Sequence, residues 1–356
     1  MIWRKFIKMT TDTFQVIHTA REKGKKIVVI AGAGFAGLNA AKALANQREV
    51  HVVLVDQRNY HLFQPLLYQV ATAGLNPSDI AVPIRAQFSK NRNIEVHLAK
   101  VERADLIQKF ITGRTDHNSE IQYQLSYDYL ILACGSLHSY FGNPEWEEFA
   151  PGLKSVEQAT EIRRRILSVF ERAENEIHPE VRASLLNFVI VGGGPTGVEL
   201  AGAIADVGRT VLAKDFKHIN PAEAKVILLE RGPRILSSFS EDLSAKAIKD
   251  LNELGVEVRT SAMVKNITSS GVQIGSNEFI RSQCVLWSAG VQAAPLVIDP
   301  KPEIDYAGRI KVTSDLSIPK FHDVFVVGDL AAISIKADKI LPGLAPAAIQ
   351  AGKYAA

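Results

Sequence analysis

The sequence predicts an α/β fold that uses one structural unit twice. Each copy joins a short apolar run to a glycine cluster and then to a run of helical character, first over Lys26–Ala45 and again over Asn187–Ile204. Each copy then returns to a second apolar run that ends in an acid, Asp56 or Glu230. Continuous runs rich in Val and Ile are typical of strands buried on both faces of a parallel sheet. The order of strand, helix and strand therefore predicts two Rossmann-like domains.

Composition limits the class of protein. A chain of 356 residues exceeds one typical domain, and 47% hydrophobic with 22% charged residues is typical of a globular interior. The net charge is +3, but residues 1–26 carry seven basic and two acidic side chains, so the rest carries −2. A mildly acidic body behind a basic leader argues against a nucleic-acid-binding protein.

The cysteines and the apolar runs indicate the compartment. Cys134 and Cys284 are the two cysteines, too few for a disulfide framework or a Cys-rich metal site. The nine histidines are scattered without paired spacing, so we expect no metal site. The longest apolar stretch, Ile27–Leu38, is shorter than the roughly 20 residues that cross a bilayer. With no secretion signal at the N-terminus, these features predict a cytoplasmic protein without a transmembrane helix.

The first glycine cluster reads Gly32-Ala-Gly-Phe-Ala-Gly37. Gly32 permits a tight turn, Gly34 lets a pyrophosphate approach the backbone, and Gly37 lets helix and strand pack closely. The N-terminus of the following helix offers free N–H groups and a partial positive charge. Asp56, 24 residues after Gly32, is placed to accept hydrogen bonds from a ribose. The cluster predicts a dinucleotide site; the alternative is a turn with packing duties only.

The second cluster repeats this pattern. It reads Gly192-Gly-Gly-Pro-Thr-Gly197, and Gly192, Gly194 and Gly197 correspond to the three glycines of the first cluster. Its acid, Glu230, lies 38 residues after Gly192, and the extra length falls in a polar, helix-like insertion over Asp206–Ala224. A carboxylate here favours NADH, because it accepts from the ribose 2′-hydroxyl and repels a 2′-phosphate. The neighbouring Arg231 could accept that phosphate, which keeps NADPH as the alternative.

Two dinucleotide sites in one chain predict FAD together with a nicotinamide nucleotide. The order of motifs resembles the two-dinucleotide-binding flavoproteins. Tyr127–Ser136 is similar to their middle motif, where the chain crosses between domains, and Gly308–Leu330 is similar to their late flavin motif. The resemblance implies that Asp329 holds the ribityl chain of FAD, and that Gly135 and Gly328 also contact FAD.

Within these flavoproteins, four stretches closely resemble the type II NADH:quinone oxidoreductases, single-subunit respiratory dehydrogenases that do not pump protons. The stretches are Asn59–Leu75, Pro195–Gly202, Trp287–Val291 and Ala345–Gly352. The resemblance runs from about Lys25 to the end of the chain. It implies noncovalent FAD, NADH as substrate, a quinone as acceptor and peripheral attachment to the cytoplasmic face of the cell membrane, and it leaves a homodimer open.

The same resemblance implies roles for single residues. It places Gln64 at FAD and Gly290 at NADH. Glu199 would lie near the nicotinamide and the flavin, although a glutamate early in a helix can simply favour the helix dipole. Gln350 would lie beside the quinone head, although it could be an ordinary polar residue of a helix.

The last motif departs from the family pattern. Many relatives carry Ala-Gln and then Gln-Gln where this chain has Pro346-Ala347 and Gln350-Ala351, so a single glutamine is retained. The family normally continues into amphipathic helices that bind the membrane. We therefore expect the helix over Ala347–Ala356 to be cut short, and the quinone side to be less complete than the NADH side.

The motifs also predict domain boundaries. We expect a leader over 1–24, with Met9 as an alternative start, an FAD domain over 25–143 plus 305–356, and an NADH domain over 150–300. A helix over Glu157–Glu176 is expected to bridge the two domains. The alternative functions are a soluble NADH:acceptor reductase or NADH oxidase, and a non-catalytic redox sensor that binds FAD and NADH.

Two reactive side chains near the expected flavin have structural interpretations. Cys134 lacks a CxxC or CxxxxC partner that could resolve a disulfide, so we interpret it as a buried structural thiol. His61 is interpreted as a structural residue near the flavin, with proton transfer as the alternative.

Overall fold

The computed structural model describes residues 18–115, 122–336 and 339–356. The chain forms two compact units. The first comprises the described residues up to Leu62, with Ala81–Leu137 and Gln292–Ala356, and the second comprises Phe63–Ile80 and His138–Val291. The sequence-based boundaries did not set Phe63–Ile80 apart from its flanks. Most of the basic leader, residues 1–17, lies outside the described residues, and residues 18–22 are helical.

A six-stranded sheet forms the centre of the first unit. Its strands, in spatial order, are Ser317–Ile318, Phe321–Val326, Tyr129–Leu132, Lys26–Ala31, Val50–Asp56 and Ile94–Leu98. All neighbours are parallel except the first pair. In the centre of the sheet Ala31 pairs with both Val55 and Leu132, so three strands end at the same edge. Ligands of parallel sheets bind outside this carboxyl edge.

Both faces of this sheet are covered. Ile27 and Val29 lie in one apolar core, and Val28 and Ile30 lie in the core on the opposite face. Side chains alternate between the faces of a strand, so a strand covered on both sides must be apolar throughout. This explains why the first strand reads as an unbroken apolar run.

Smaller elements complete the first unit. Its helices are Phe35–Ala43, Ile84–Phe88 and Ala345–Ala355, with a 3-10 turn at Gly328–Leu330. A second sheet contains, in order, Val297–Asp299, Lys100–Asp105, Phe110–Arg114 and Gln122–Ser126. Three strand pairs are Tyr60–Leu62 with Ala81–Pro83, Ile310–Lys311 with Ala331–Ala332, and Ser334–Lys336 with Lys339–Ile340. The short strands Ser136–His138 and Val291–Ala293 each contain a unit boundary.

The second unit is built on a four-stranded parallel sheet. Its strands, in order, are Val256–Arg259, Lys225–Leu229, Asn187–Val191 and Cys284–Trp287. An antiparallel sheet of Val264–Thr268, Gly271–Ile274 and Glu278–Arg281 accompanies it. The helices are Leu67–Ala71, Pro77–Ile80, Trp146–Phe149, Val156–Asn175, Pro179–Leu185, Pro195–Asp206 and Glu241–Glu253, with a 3-10 turn at Gln64–Leu66.

Two sequence-based expectations in the second unit need revision. The helix expected to bridge the domains spans Val156–Asn175 and belongs wholly to the second unit, so the bridging role is wrong. It begins at Ser155, whose hydroxyl accepts from the backbone N–H of Gln158 at 3.2 Å, and its apolar stripe is buried. The expected insertion is only partly helical, with a π-helical turn at Val207–Val211 and a 3-10 turn at Pro221–Glu223.

The C-terminal helix packs tightly on the first glycine-loop helix. A Cβ placed on Gly352 would lie 2.1 Å from the carbonyl oxygen of Ala36. Ala348, Ala351 and Gly352 form its buried stripe. The helix begins at Ala345, two residues before the expected start. Within the described ranges, no helix has both the length and the apolar character required to span a bilayer.

A polar cluster lies among the strands of the first unit. His51 Nε2 lies 3.3 Å from one carboxylate oxygen of Glu95, and His97 Nε2 lies 3.2 Å from the other. His97 Nδ1 lies 2.7 Å from the hydroxyl of Tyr123. Burial alone would raise the pKa of Glu95, but the interactions with the two histidines outweigh it and hold this pKa at about 2. The ionised carboxylate therefore stabilises the fold.

We predict that Glu95→Gln lowers the free energy of unfolding by about 1–2 kcal/mol at neutral pH, allowing for solvent screening. Because the folded pKa lies below the ordinary value of 4.5, this stabilisation is present above 4.5 and is lost as the pH falls toward 2. Urea unfolding at several pH values measures both effects. The control is Glu102→Gln, which removes an exposed pair with Arg114 and should cost less than about 0.5 kcal/mol. Equal losses from both variants would contradict the prediction.

Candidate functional site

The first glycine loop leaves the carboxyl edge of its sheet in a conformation that requires glycine. Gly32 has φ of +107°, and a Cβ there would lie 2.3 Å from the carbonyl oxygen of Ala133 on the neighbouring strand. A Cβ on Gly37 would lie 1.8 Å from the carbonyl oxygen of Gly32. Around Gly34, by contrast, nothing lies within 4 Å of the Cβ position. Two glycines are therefore fixed by packing, while Gly34 faces open space.

The second glycine loop has the same pattern of φ angles and close approaches. Gly192 has φ of +112°, and a Cβ there would lie 2.6 Å from the backbone nitrogen of Ala289. A Cβ on Gly197 would lie 1.9 Å from the carbonyl oxygen of Gly192. Gly194 again has nothing within 4 Å of its Cβ position. The similar glycine spacing therefore produces the same turn in both units.

In each unit, the acid at the end of the second strand of the motif is hydrogen-bonded to the glycine loop. Asp56 accepts hydrogen bonds from the backbone N–H groups of Ala33 at 2.6 Å and Arg58 at 2.7 Å. Glu230 accepts from the backbone N–H of Gly193 at 2.7 Å. Its other oxygen accepts, at 2.6 Å, from the backbone N–H of the residue two positions after Glu230 itself. Both carboxylates therefore fix the middle residue of the loop.

Burial changes the acidity of the first acid. It raises the pKa of Asp56, and the two backbone N–H groups act against that rise. A buried carboxylate held by backbone donors keeps lone pairs for further hydrogen bonds. Both acids can therefore also accept from a ribose hydroxyl at the same strand end.

The N-termini of the two loop helices fit phosphate groups. Each helix begins after a glycine in extended conformation, Gly34 or Gly194, and glycine has no side chain to cap the first N–H groups. Uncapped N–H groups and the helix dipole favour an anion at this position. The open space above Gly34 and Gly194 is the space that an added Cβ would enter. The residues present therefore fit the pyrophosphate of a dinucleotide in each unit.

The late motif adds a carboxylate to the first unit. Asp329 lies on the 3-10 turn after strand Phe321–Val326, and its Oδ2 accepts from the hydroxyl of Ser136 at 2.8 Å. A Cβ on Gly343 would lie 2.8 Å from its other oxygen. Gly328 has φ of +68°, and a Cβ there would lie 3.1 Å from the Cβ of Ala36 on the first loop helix. The turn carrying Asp329 is thus packed beside the first glycine-loop helix.

Three further residues of the first unit have distinct local structures: Gly135, His61 and Cys134. Gly135 has φ of +74° and open space around its Cβ position. His61 Nδ1 lies 2.9 Å from the carbonyl oxygen of Ala33, so this nitrogen carries the proton, and burial lowers the pKa of His61. Burial raises the pKa of the Cys134 thiol to about 12, and its S–H points to the carbonyl of Ala31 at 3.6 Å. Cys134 is only partly buried, and the structural interpretations of both side chains stay predictions.

Several of the remaining sequence-predicted residues lie in the second unit. The amide of Gln64 donates to the carbonyl of Lys154 at 3.2 Å, and this segment groups with the second unit, although Gln64 was assigned to FAD from the family resemblance. Glu199 lies in helix Pro195–Asp206 and reaches solvent, yet partial burial raises its pKa. Gly290 has φ of +73° and follows strand Cys284–Trp287. The assignments of these residues to a cofactor or substrate stay predictions.

Gln350 belongs to the C-terminal helix of the first unit. Its side chain is exposed, while the buried stripe of that helix faces the first loop helix. Its assignment to the quinone also stays a prediction. Among the described residues, no group of three or more His, Cys, Asp or Glu side chains is arranged to hold a metal ion.

Two serines at these sites were missed by sequence reasoning. Ser136 donates to Asp329, and Ser288 donates to the carbonyl oxygens of Val191 and Gly192, each at 2.9 Å. Both lie inside motifs that were recognised for their glycines. A hydroxyl one residue after such a glycine, or two residues before it, was the available signal.

Comparison with known proteins identifies the family. The pattern of the pyridine nucleotide-disulphide oxidoreductase family matches residues 25–352. A type II NADH:quinone oxidoreductase, Ndh of Mycobacterium tuberculosis, is 44% identical over 346 residues, covering 95% of this chain and 73% of that protein. The chain belongs to the type II NADH:quinone oxidoreductases. A probable NADH dehydrogenase of Dictyostelium discoideum is 32% identical, with 98% of this chain and 77% of that protein covered.

Solved structures support the fold of this type II enzyme. The NDH2 structure from Plasmodium falciparum in complex with NADH superposes with a TM-score of 0.80 at 23% identity. The match covers 87% of this chain and 65% of that chain, so this chain spans just under two thirds of its length. The predicted family, the α/β fold with Rossmann-like domains, and the class of FAD-dependent NADH:quinone oxidoreductase are confirmed by these relatives.

The repeated loop allows one substitution to test both sites. We predict that Gly34→Ala folds normally but weakens FAD binding about tenfold, because the new methyl group enters the phosphate space. Gly194→Ala should keep its FAD and instead need about tenfold more NADH for half-maximal flavin reduction. Flavin released on denaturation and stopped-flow reduction measure the two effects.

Each variant is the matched control for the other, since both add one methyl group to a helix start of the same geometry. Loss of FAD from Gly194→Ala, or full FAD in Gly34→Ala, would show that the loops are assigned to the wrong nucleotides.

Proposed function

We propose that this protein passes electrons from NADH to a quinone, with noncovalent FAD as cofactor and without pumping protons. The duplicated glycine loop carries the proposal, because FAD and NADH each contain a pyrophosphate and riboses that such a loop and its acid can bind. When bound, FAD supplies the redox chemistry, taking hydride from NADH and giving two electrons to the acceptor. The residues of the chain bind, orient and shelter these groups.

We assign FAD to the first unit. The uncapped helix start after Gly34 binds the pyrophosphate, and Asp56 accepts from a ribose hydroxyl. Asp329, oriented by the hydroxyl of Ser136 at 2.8 Å, accepts from the ribityl chain. Gly135 and Gly328 let the backbone approach the cofactor. This proposal uses FAD-domain boundaries of 25–143 plus 305–356, and Gln64 stays assigned to FAD.

We assign NADH to the second unit, within 150–300. The helix start after Gly194 binds the pyrophosphate. The glycines at the two ends of the loop give the turn its shape. Glu230 accepts from the 2′-hydroxyl of the adenosine ribose while it holds the loop through Gly193 at 2.7 Å. Gly290, at the carboxyl end of a neighbouring strand, forms the wall on the nicotinamide side.

Glu199 and Gln350 are assigned to the acceptor half of the reaction. Reduction of a quinone to a quinol consumes two protons, and partial burial raises the pKa of Glu199, the direction that favours a proton-donating carboxyl group. The exposed amide of Gln350 can donate a hydrogen bond to a quinone carbonyl. Glu199→Gln should slow reoxidation by quinone more than reduction by NADH, and an equal effect on both would remove Glu199 from this role.

Peripheral attachment to the cytoplasmic face of the cell membrane is part of the proposal. Leu344 and Tyr354, at the two ends of the C-terminal helix that carries Gln350, are exposed apolar side chains that could enter a lipid surface. Flotation with liposomes tests the attachment, and protein that stays in the dense fraction would argue against it. A homodimer is tested by light scattering.

The function is tested with the purified protein in two half-reactions. We predict that denaturation releases FAD, that anaerobic NADH bleaches the flavin colour rapidly, and that a short-chain quinone restores it. Faster oxidation by molecular oxygen than by quinone would favour an NADH oxidase. Stable bleaching that no acceptor reverses would favour the redox sensor, and absence of bleaching would contradict the proposal.

Glu230 should determine the choice of nucleotide. A carboxylate about 4 Å from a 2′-phosphate is repelled by about 4 kcal/mol per charge pair at an effective dielectric near 20, and solvent reduces this value. We predict that Glu230→Gln raises the NADPH-to-NADH ratio of kcat/KM. Because both carboxylate oxygens hold backbone N–H groups, the variant should also weaken NADH binding. Asp56→Asn, which changes the matching carboxylate of the first unit, is the control. An unchanged ratio of kcat/KM in Glu230→Gln would exclude Glu230 from determining the choice of nucleotide.

A further inference from the structure

Phe141 has a backbone conformation that bulky residues rarely adopt. Its φ is +52°, in the left-handed region, and Gly142 follows with φ of +90°. A side chain with a Cβ pays a steric cost there, and a bulky one is an outlier. The ring is nevertheless 64% exposed to solvent, so burial of its apolar surface offsets only a small part of this cost. Strain of this kind persists where surrounding contacts enforce it, and it clusters at functional sites.

The neighbours of Phe141 enforce this conformation. Tyr140 is buried, stacks on Trp287 with ring centroids 5.1 Å apart, and donates its hydroxyl to the carbonyl of Ala150 at 2.9 Å. The side-chain amide of Asn143 donates to the carbonyls of Tyr140 at 3.2 Å and Phe141 at 3.3 Å. Anchored on both sides, the chain turns Tyr140 inward and presents Phe141 outward.

The ring of Phe141 lies over Gly290. A Cβ on Gly290 would be 2.4 Å from the tip of the ring, so only glycine permits this approach. Gly290 follows Ser288 and Ala289, both of which contact the turn at Gly192: the hydroxyl of Ser288 donates to the Gly192 carbonyl at 2.9 Å. The exposed ring therefore borders the carboxyl edge of the parallel sheet, beside the second glycine loop.

We propose that Phe141 is a substrate-binding residue, whose ring forms an apolar wall against a planar ring of NADH at the Gly290 side of the site. The inference rests on the proposed function, since it takes the second loop to bind NADH. A flat aromatic surface held beside a phosphate-binding loop suits a ligand with flat heterocyclic rings, and offset stacking adds to the burial of both. The enforced left-handed backbone fixes the ring before the nucleotide arrives.

The competing explanation is structural, because the Phe141 ring also touches Trp287, with centroids 6.1 Å apart. The two explanations differ in their consequences for stability. Asn tolerates the left-handed region far better than Phe. Phe141→Asn should therefore keep or raise Tm if the ring serves the substrate, and lower Tm if the ring serves the fold.

The experiment uses the FAD-loaded enzyme and anaerobic stopped-flow reduction by NADH. For Phe141→Asn and Phe141→Ala we expect the NADH concentration at half-maximal rate to rise about 3- to 10-fold, the range that loss of one aromatic contact gives. FAD content should match the wild type, and Tm of Phe141→Asn should be equal or higher. Phe279→Ala is the control, because Phe279 is a 43% exposed aromatic residue of the same unit on an antiparallel strand. It should leave half-saturation within twofold of the wild type.

Unchanged half-saturation in both Phe141 variants would overturn the inference while leaving the proposed function intact. A fall in Tm and in FAD content for Phe141→Asn would overturn it in favour of the structural role. If the wild-type holoenzyme is not bleached by NADH, the proposed function fails and this inference fails with it, which is a distinct result.

Discussion

The close approach of each loop helix to its own glycine turn constrains the rest of the molecule. At Gly37 and Gly197 the helix backbone lies so near the turn that a Cβ would come within 1.8 and 1.9 Å of a carbonyl oxygen. Any side chain at these positions would push the helix away from the sheet edge. Because the helix N-terminus is the anion-binding element, this approach determines where a phosphate can lie in each unit. The other residues assigned to each site can contact a bound nucleotide only if they lie near this phosphate position.

The acids at the strand ends have a second duty that follows from the same constraint. Asp56 and Glu230 each accept two backbone N–H groups, one of them from the middle residue of the glycine loop. The carboxylate proposed to accept from the ribose therefore also holds the turn in place. The proposal therefore couples nucleotide choice to loop order, because removing the charge from either side chain alters both.

The fold of this chain is retained where sequence likeness is low, since the Plasmodium structure superposes with a TM-score of 0.80 at 23% identity. Likeness at this level reports architecture, and the reaction depends on the residues placed on it. Here burial raises the pKa of the Cys134 thiol to about 12, and a thiol with a raised pKa is a poor nucleophile for the thiol chemistry of disulfide reductases.

The sequence by itself determined the features that are local in the chain. Strands, glycine turns and loop helices follow from short apolar runs and glycine spacing, and the acids at Asp56 and Glu230 follow each strand directly. Tertiary structure alone placed Phe63–Ile80 in the second unit, kept helix Val156–Asn175 within it, and forced Phe141 into a left-handed conformation. It also brought His51, Glu95 and Tyr123 into one cluster with His97. Each of these depends on contacts between residues distant in sequence, and local periodicity carries no information about such contacts.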